Sequence, residues 1–277
     1  MCELVAMSAR YPTNLTLSLG ALAEHSSSGG HVDGWGVAYY SQKDAWRIRD
    51  TAAAYGSPWA RFVAERGFTS NLVIAHIRKA TQGAVTLENT QPFERELGGR
   101  VHLFAHNGDL PEVRRSPRYQ GGNFRPVGDT DSEYAFCYLL NRLRELWLGQ
   151  DSPDFELRWR IFQEFCAELR VLGPANILYS DGEFLFVHGN QRTQDDGHRR
   201  PPGLYWLCRE CRHDNEEGLS SEAISVQDPV PGSSDLQRVT VVASVPLTQE
   251  PWIALAEGEM LAIQQGRILA RESPQAS

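Results

Sequence analysis

The sequence of 277 residues lacks any apolar run that approaches the roughly 18 residues a membrane-spanning helix needs. Its first 30 residues also lack the basic start and the apolar block of a secretory signal peptide. We therefore expect a cytoplasmic protein with no membrane partner.

Basic residues are in the minority, with 27 lysines and arginines against 35 acidic residues and a net charge of -8 at pH 7. A protein that binds nucleic acid needs a clustered positive field to meet the phosphates. This balance has the wrong sign, so we expect no nucleic-acid partner.

Cysteine is scarce as well, with five residues: Cys2, Cys137, Cys166, Cys208 and Cys211. An odd and sparse set predicts reduced thiols rather than a disulfide framework. Cys208 and Cys211 have metal-like spacing, but zinc usually takes four ligands and no second pair matches. If the apolar residues before them continue as a strand, their sulfurs point to opposite faces. We predict no metal site.

Apolar runs bounded by turn residues predict strands over residues 3–7, 34–40, 71–78 and 101–107. Shorter runs at hairpin-like spacing predict further strands over residues 175–180, 183–189, 204–208, 239–245 and 259–263. Between the first two of these, Asp181 and Gly182 form a strong signal for a hairpin turn.

Apolar residues at three-to-four spacing predict helices over residues 13–25, 58–66, 131–148 and 154–171. The third helix opens with Thr130 and Glu133 at the spacing of a capping box. Long helices among many hairpin strands indicate an α+β fold with antiparallel sheets. Linker-like composition occurs only near residues 190–203 and 213–235 and at the end, so we predict one domain over residues 1–277.

Three of the predicted elements begin or end in polar residues. One strand ends in Arg78, another ends in Asn107 followed by Gly108, and the capped helix begins with Asp131. Element ends commonly display polar groups over a rigid scaffold. We therefore take these four residues as candidates for one site.

Each of the four has a chemical role that fits an amino-acid ligand. The amide of Asn107 and the N–H of Gly108 make a two-donor pocket for a developing oxyanion. The guanidinium of Arg78 can grip a carboxylate through two parallel hydrogen bonds. Asp131 stays ionised at a helix N-terminus and can receive an ammonium group.

Taken singly, the same residues have structural explanations. An Asn-Gly pair after a strand often forms a hairpin turn, and an acidic residue in a capping box stabilises its helix. An arginine at a strand end is often a surface charge or ion pair. The stretch "GDTDSE" also has the acidic spacing of a calcium loop, but Tyr134 stands where that loop requires glycine.

The order of Cys2, "HIRKAT", "AHNGD" and "TDSE" resembles the class II glutamine amidotransferases of the N-terminal nucleophile hydrolase superfamily. The likeness extends to small stand-alone YafJ-type amidotransferases through "DGWG", "LENTQPF" and "NFRPVGDTDSE", and its diagnostic motifs lie in residues 2–134. It implies the N-terminal nucleophile hydrolase fold, a four-layer αββα sandwich of two antiparallel sheets.

The resemblance also implies a role for each site residue. Cys2 would be the nucleophile after removal of Met1, with its own freed amino group as the base. Arg78, helped by Thr81, would hold the α-carboxylate of glutamine, and Asp131 would bind the α-amino group. Asn107 and Gly108 would form the oxyanion hole.

This chain departs from the better-known members in the segment "HVDGWG", which stands in place of their "RG-D" segment, and at three single positions. Those members usually carry glycine after the cysteine, an aromatic residue after the arginine, and histidine or asparagine after the threonine. Here the residues are Glu3, Lys79 and Gln82. The departures bear on the substrate beyond its γ-glutamyl part.

The expected reaction is hydrolysis of the glutamine γ-amide through a γ-glutamyl thioester on Cys2, with release of ammonia and glutamate and no cofactor. A separate synthase would accept the ammonia if the protein is a full amidotransferase. Alternatively, the protein hydrolyses another γ-glutamyl amide or peptide, or it is a non-catalytic amino-acid-binding or regulatory module. The sequence makes no prediction of the oligomeric state.

Overall fold

The computed structural model describes residues 2–17, 33–80, 83–149, 152–194, 196–211, 224–226 and 236–273. The strands are β1 (Glu3–Leu17), β2 (Trp35–Ser41), β3 (Asp44–Asp50), β4 (Thr69–Ile77), β5 (Phe93–Leu97), β6 (Arg100–Gly108), β7 (Ala175–Ser180), β8 (Leu185–His188), β9 (Arg192–Thr193), β10 (Arg199–Arg200), β11 (Tyr205–Cys211), β12 (Ile224–Val226), β13 (Gln237–Ala243), β14 (Ile253–Ala254), β15 (Met260–Gln264) and β16 (Arg267–Glu272). The helices are α1 (Pro58–Arg66), α2 (Pro111–Arg115), α3 (Asp131–Trp147) and α4 (Phe155–Leu169).

Two antiparallel sheets contain most of these strands. The first has the order β14, β11, β13, β1, β4, β2 and β3, and β12 pairs with the far end of β1. The second has the order β16, β15, β8, β7, β6 and β5. The two-residue strands β9 and β10 form a separate hairpin. Thus β1 lies inside the first sheet and β6 lies inside the second.

The two sheets pack face to face around an apolar layer. Leu4 and Ile74 reach this layer from the first sheet, and Leu103 and Leu178 reach it from the second. Burial of one such leucine or isoleucine side chain contributes about 1.5–3 kcal/mol, so the layer holds the sheets firmly together.

The outer faces of both sheets are covered by helices. Val63 of α1 packs into the apolar cluster on the first sheet. Phe136 of α3 and Phe162 of α4 are fully buried in the cluster on the second sheet. The architecture is therefore the α+β, four-layer αββα sandwich that the sequence resemblance implied.

Local signals explain where several elements begin and turn. The Ser57 hydroxyl accepts a hydrogen bond from the Ala60 N–H at the start of α1. Thr130 caps α3 in the same way through the Glu133 N–H, which is one half of the predicted capping box; the Glu133 carboxylate accepts instead from the Val127 and Gly128 N–H groups. The predicted hairpin at Gly182 joins β7 to β8, and this glycine has a φ of 83°.

One predicted helix is wrong over its first residues. Residues 13–17 belong to β1, which continues past an irregularity after Ser8 and pairs through Thr13 with Ser70. The alternation of polar and apolar residues from Asn14 to Leu17 is a strand pattern, and it prevailed over the helical spacing. Residues 18–25 of that prediction lie outside the described residues.

The strand predicted over residues 3–7 continues to Leu17, and the other predicted helices and strands are observed with ends displaced by a few residues. The short strands β3, β5, β9, β10, β12, β14 and β16 were not predicted. No helix within the described ranges is long and apolar enough to cross a membrane.

Candidate active site

Cys2 lies at the head of β1, beside the segment that follows β4. The pairing of Glu3 with Ile77 carries the chain start alongside Lys79. The Cys2 Sγ accepts a hydrogen bond from the Lys79 N–H at 3.2 Å, and the thiol faces the Lys79 carbonyl oxygen at 3.3 Å. Burial raises the pKa of the Cys2 thiol, although the Lys79 N–H hydrogen bond opposes the rise. The thiol therefore needs a base to become a nucleophile.

Asn107 joins the two sheets at this point. Its side-chain Nδ2 donates to the Cys2 carbonyl oxygen at 2.6 Å, from the end of β6. The side chain is buried, so its orientation is restricted. A carboxamide nitrogen carries two hydrogens, and the second can serve a ligand next to Cys2.

Gly108 directs its backbone N–H away from the neighbouring strand β7. Asp109 N–H donates to the Pro174 carbonyl oxygen at 3.2 Å, so Gly108 and Ala175 form a pair without mutual hydrogen bonds. A Cβ on Gly108 would lie 1.8 Å from the Pro174 oxygen. Only glycine fits this strand end, and its N–H remains a donor beside Asn107.

The end of β6 is fixed by a side chain that acts as a strand partner. Gln91 Oε1 accepts from the His106 N–H at 2.6 Å, and Gln91 Nε2 donates to the His106 carbonyl oxygen at 3.1 Å. These two bonds continue the ladder just before β5 begins. They hold the backbone immediately ahead of Asn107.

The ring of His106 links β6 to the start of α3. Its Nε2 lies 3.3 Å from the Pro174 carbonyl oxygen, and its Nδ1 lies 2.8 Å from the Ser132 hydroxyl oxygen. A carbonyl accepts only, so Nε2 carries the proton and Nδ1 accepts from Ser132. Burial lowers the pKa of His106, which agrees with this neutral ring. Gln91, His106 and Ser132 were not among the predicted site residues.

Asp131 is the first residue of α3 and is almost fully buried. Its Oδ2 accepts from the Leu110 N–H at 2.6 Å, and its Oδ1 accepts from the Ser132 N–H at 2.8 Å. The carboxylate thus ties the segment after Gly108 to the helix. Each oxygen has further lone pairs, so Asp131 can still accept from an ammonium group.

Arg78 follows β4 and is also buried. Its guanidinium donates to the Ala84 carbonyl oxygen at 2.9 Å and to the Gly83 carbonyl oxygen at 3.3 Å. Burial lowers the pKa of Arg78, but arginine does not lose its proton in proteins. The site therefore holds a fixed positive charge close to Cys2.

The motifs that carried the sequence resemblance support the loops around this site. Asp33 Oδ2 accepts from the Ala80 N–H at 2.9 Å, next to Arg78. Asn89 Nδ2 donates to Asp129 Oδ1 at 2.6 Å, and Asn89 Oδ1 accepts from the Asp129 N–H at 2.9 Å. The "LENTQPF" and "GDTDSE" segments are thereby joined.

A narrow cleft of about 30 Å³ brings the predicted residues Cys2, Arg78, Gly108 and Asp131 together. Its other lining residues are His76, Lys79, Ala80, Asn89, Gln91, His106, Thr130 and Ser132. Asn107, which precedes Gly108 in the chain, does not line this cleft but is hydrogen-bonded to Cys2. Thr81, the remaining predicted residue, lies outside the described part of the chain.

A second cavity of about 160 Å³ opens on another side of Cys2. It shares Cys2, Lys79 and Gly108 with the cleft, and we call it the outer cavity. The rest of its lining comprises Asn107, Asp109, Pro174, Gln191, Arg192, Thr193 and Arg199. Cys2 stands where the two spaces meet.

Glu3, which replaces the usual glycine, is buried in an ion pair. Its Oε1 lies 3.1 Å from a guanidinium nitrogen of Arg192, and Arg192 also donates to the Ser244 carbonyl oxygen at 2.6 Å. Burial raises the pKa of Glu3, and the Arg192 charge opposes the rise. The pair anchors the residue after Cys2 to the end of β13.

The cysteine pair singled out for its spacing lies in β11, away from the cleft. Cys208 is exposed, and its sulfur lies 3.8 Å from the Gly266 carbonyl oxygen. No group of histidine, cysteine and acidic residues in the described ranges is arranged to hold a metal ion.

Comparison with known proteins places this geometry in context. The model for "Glutamine amidotransferases class-II" matches residues 1–277. The chain is 36% identical over 261 residues to YafJ of Escherichia coli (strain K12), which is named as a glutamine amidotransferase; the match covers 94% of this chain and 96% of YafJ.

Solved structures show the same resemblance. A predicted glutamine amidotransferase from Pseudomonas aeruginosa superimposes with a TM-score of 0.70 at 33% identity, over 97% of this chain and 100% of that one. The glutamine phosphoribosylpyrophosphate amidotransferase of B. subtilis gives a TM-score of 0.60 at 16% identity, over 98% of this chain and 49% of that one. The second match speaks for the fold alone.

Proposed function

The chain belongs to the class II glutamine amidotransferases, and on that basis we propose that it hydrolyses the γ-amide of glutamine through a thioester on Cys2. The observation that carries this proposal is the hydrogen bond from Asn107 Nδ2 to the Cys2 carbonyl oxygen. This bond joins the second sheet to the first beside Cys2, which supports Asn107 as an oxyanion donor and Cys2 as the nucleophile.

The cleft supports binding of a free amino-acid end. Arg78 offers a charged fork for the α-carboxylate of glutamine, with Thr81 as its helper. Asp131 offers a buried carboxylate for the α-ammonium group. With both ends held, the side-chain amide extends to Cys2, which lines the same cleft.

The proposed nucleophile is activated by its own α-amino group. Removal of Met1 frees an amine with a pKa of about 7.7 to 8.0, which is partly neutral at physiological pH and can take the thiol proton. The raised pKa of the Cys2 thiol makes such a base necessary. Base and nucleophile then belong to one residue.

Thiolate attack on the amide carbon would form a tetrahedral oxyanion held by Asn107 and Gly108. Cleavage of the C–N bond returns the proton to the leaving nitrogen and releases ammonia. Water then attacks the γ-glutamyl thioester, and glutamate and the thiol are regenerated. The whole chain would form one catalytic domain, and any ammonia transfer would need a separate synthase.

A glutamine-like chloroketone tests this proposal against a purely ligand-binding role. We expect the mass of one adduct per chain, localised to Cys2 by peptide analysis and absent in Cys2→Ala. Cys208→Ala is the matched control, since that thiol is exposed but lies outside both cavities, and it should label like the wild type. Saturable binding without labelling would refute the enzymatic role.

A further inference from the structure

Another cavity lies on the outer face of the second sheet, against helix α4. It holds about 380 Å³, which falls within the range of about 300–1,000 Å³ usual for small-molecule sites. Its polar lining comes from α4, the residue after that helix, and the ends of β8 and β16: Arg160, Gln163, Glu164, Arg170, His188 and Glu272. It shares no lining residue with the cleft or the outer cavity, and we call it the α4 pocket.

His188 lies on the sheet side of the α4 pocket and is fully buried. Its Nδ1 lies 2.5 Å from the Ala175 carbonyl oxygen. A carbonyl accepts only, so Nδ1 carries the proton and Nε2 keeps its lone pair. Burial lowers the pKa of His188 to about 4, which agrees with a neutral ring. Among the described residues, Nε2 has no hydrogen-bond partner.

The unused nitrogen of His188 faces the α4 pocket. Strand β8 lies between β7 and β15, and Nδ1 is turned to Ala175 at the start of β7. Nε2 therefore points to the other side, where Met260 of β15 pairs with His188 and Glu272 of β16 pairs with Met260. Both of these residues line the pocket. A buried acceptor without a partner is costly, and a hydrogen-bond donor bound in the pocket would remove that cost.

The charges of the lining favour an anion. Within the part of the chain that the structure describes, neither Arg160 nor Arg170 forms an ion pair. Glu164 is matched by Arg142 at 2.5 Å, and Glu272 accepts a hydrogen bond from Gln163. Two unmatched arginines therefore stand against one carboxylate.

Arg170 is the arginine that can act together with His188. Burial is the main cause of the lowered pKa of His188, and the nearby charge of Arg170 adds to it. Arg160 lies ten residues earlier in the chain, which is about 15 Å along a helix. The two arginines are thus too far apart to hold the same small group, and Arg170 and His188 form one end of the pocket.

We propose that the α4 pocket binds a small organic anion that carries a hydroxyl group, either a phosphate ester or a hydroxy acid. The anionic group pairs with the guanidinium of Arg170, whose planar fork fits both phosphate and carboxylate. The hydroxyl group donates to Nε2 of His188. This site makes no use of Cys2, so the proposal is independent of the proposed function.

The test is calorimetric titration of the full chain with glycerol phosphate and with glycerate, each of which has an anionic group and hydroxyl groups. We expect binding at millimolar concentration or below, and the tighter of the two identifies a phosphate ester or a hydroxy acid. The analogue that lacks hydroxyl groups, propyl phosphate or propionate, should bind about tenfold more weakly, the size of one hydrogen bond. Uncharged glycerol should give no heat of binding.

Two variants assign the binding to the pocket. Arg170→Gln should weaken it about tenfold or more, since a charge-assisted hydrogen bond is lost. Arg61→Gln is the matched control, because Arg61 is exposed on α1 over the other sheet, and it should bind like the wild type. His188→Phe should bind the anions with and without hydroxyl groups equally.

Three results would overturn the proposal: no binding of either hydroxylated anion, an unchanged affinity in Arg170→Gln, or equal affinities of the wild type for the anions with and without hydroxyl groups. Arg170 is exposed, so its replacement is compatible with folding even if His188→Phe does not fold. Labelling of Cys2 by the chloroketone is not affected by any of these results.

Discussion

Asn107 illustrates how single residues couple the two sheets at the site. Its amide donates one hydrogen to the Cys2 carbonyl oxygen, so the same nitrogen is held within reach of a ligand bound beside Cys2. The backbone before it is held by the Gln91 amide, and the His106 ring reaches Ser132 on α3. A donor held in this way needs no rearrangement when charge develops.

Asn107→Ala is predicted to lower kcat for glutamine hydrolysis by about 10²–10³, the usual loss for one oxyanion donor, with a much smaller change in KM. The reason is that the donor acts on the tetrahedral intermediate rather than on the bound substrate. Steady-state glutamate release measures both constants. Asn123→Ala, at an exposed asparagine, should match the wild type; a kcat of Asn107→Ala within a few-fold of the wild type would exclude the oxyanion role.

At this scale the sequence indicated part of the site. Polar residues at element ends pointed to Arg78, Asn107, Gly108 and Asp131, and the structure brings them around Cys2. Their chemical roles remain predictions. Sequence gave no signal for the Glu3–Arg192 pair, because its members are far apart in the chain and meet only through the fold.

Among the elements, β1 shows why local pattern alone was insufficient. Its first residues form the apolar run that predicted a strand, but its continuation from Thr13 was taken for a helix. Pairing with Ser70 on β4 and with β12 decides the outcome, and such long-range pairing is invisible in a short window. Helix α3, by contrast, could be predicted correctly, because its capping residue and its apolar stripe are both evident in the sequence.

Strand β6 also contacts the helix α3 through a buried histidine, His102. His102 Nε2 lies 3.2 Å from the Leu97 carbonyl oxygen, its Nδ1 lies 2.8 Å from the Tyr179 hydroxyl, and its ring packs edge-on against Trp147. Both ring nitrogens therefore have hydrogen-bond partners while the ring is neutral. Burial lowers the pKa of His102 to about 4.

The lowered pKa of His102 predicts acid sensitivity of the fold. In the unfolded chain a histidine titrates near a pKa of about 6.5, so the stability gained by keeping the ring neutral is full above that pH. It is lost as the pH falls toward 4, at about 1.4 kcal/mol per pH unit. The free energy of unfolding, measured with urea between pH 7.5 and 4.5, should fall less steeply with decreasing pH in His102→Gln than in the wild type. We expect the two slopes to differ by about this amount.

A matched control for this titration is His198→Gln, since His198 is exposed on the β9–β10 turn. We expect its slope of unfolding free energy against pH to equal that of the wild type. If His102→Gln and His198→Gln gave the same slope, the buried ring would not be the source of the pH dependence.

At the scale of the whole molecule, the fold makes the site by joining the start of one sheet to the end of the other. β1 begins at Glu3 and β6 ends at Gly108, and the bond between Asn107 and Cys2 crosses from the second sheet to the first. Helix α3 then supplies Asp131 from the layer outside the second sheet. The αββα order could be predicted from the family resemblance, whereas the outer cavity and its charges required the structure.

The proposed activation of Cys2 depends on a single covalent event, the removal of Met1, which would free the amine of Cys2. Its most direct test is the intact mass of the purified protein, taken on the sample in which glutamate release from glutamine is timed. We predict a mass that lacks Met1 and glutamate release that Cys2→Ala abolishes. A chain that retains Met1 and still hydrolyses glutamine, or one that has lost Met1 and releases no glutamate, would contradict the account.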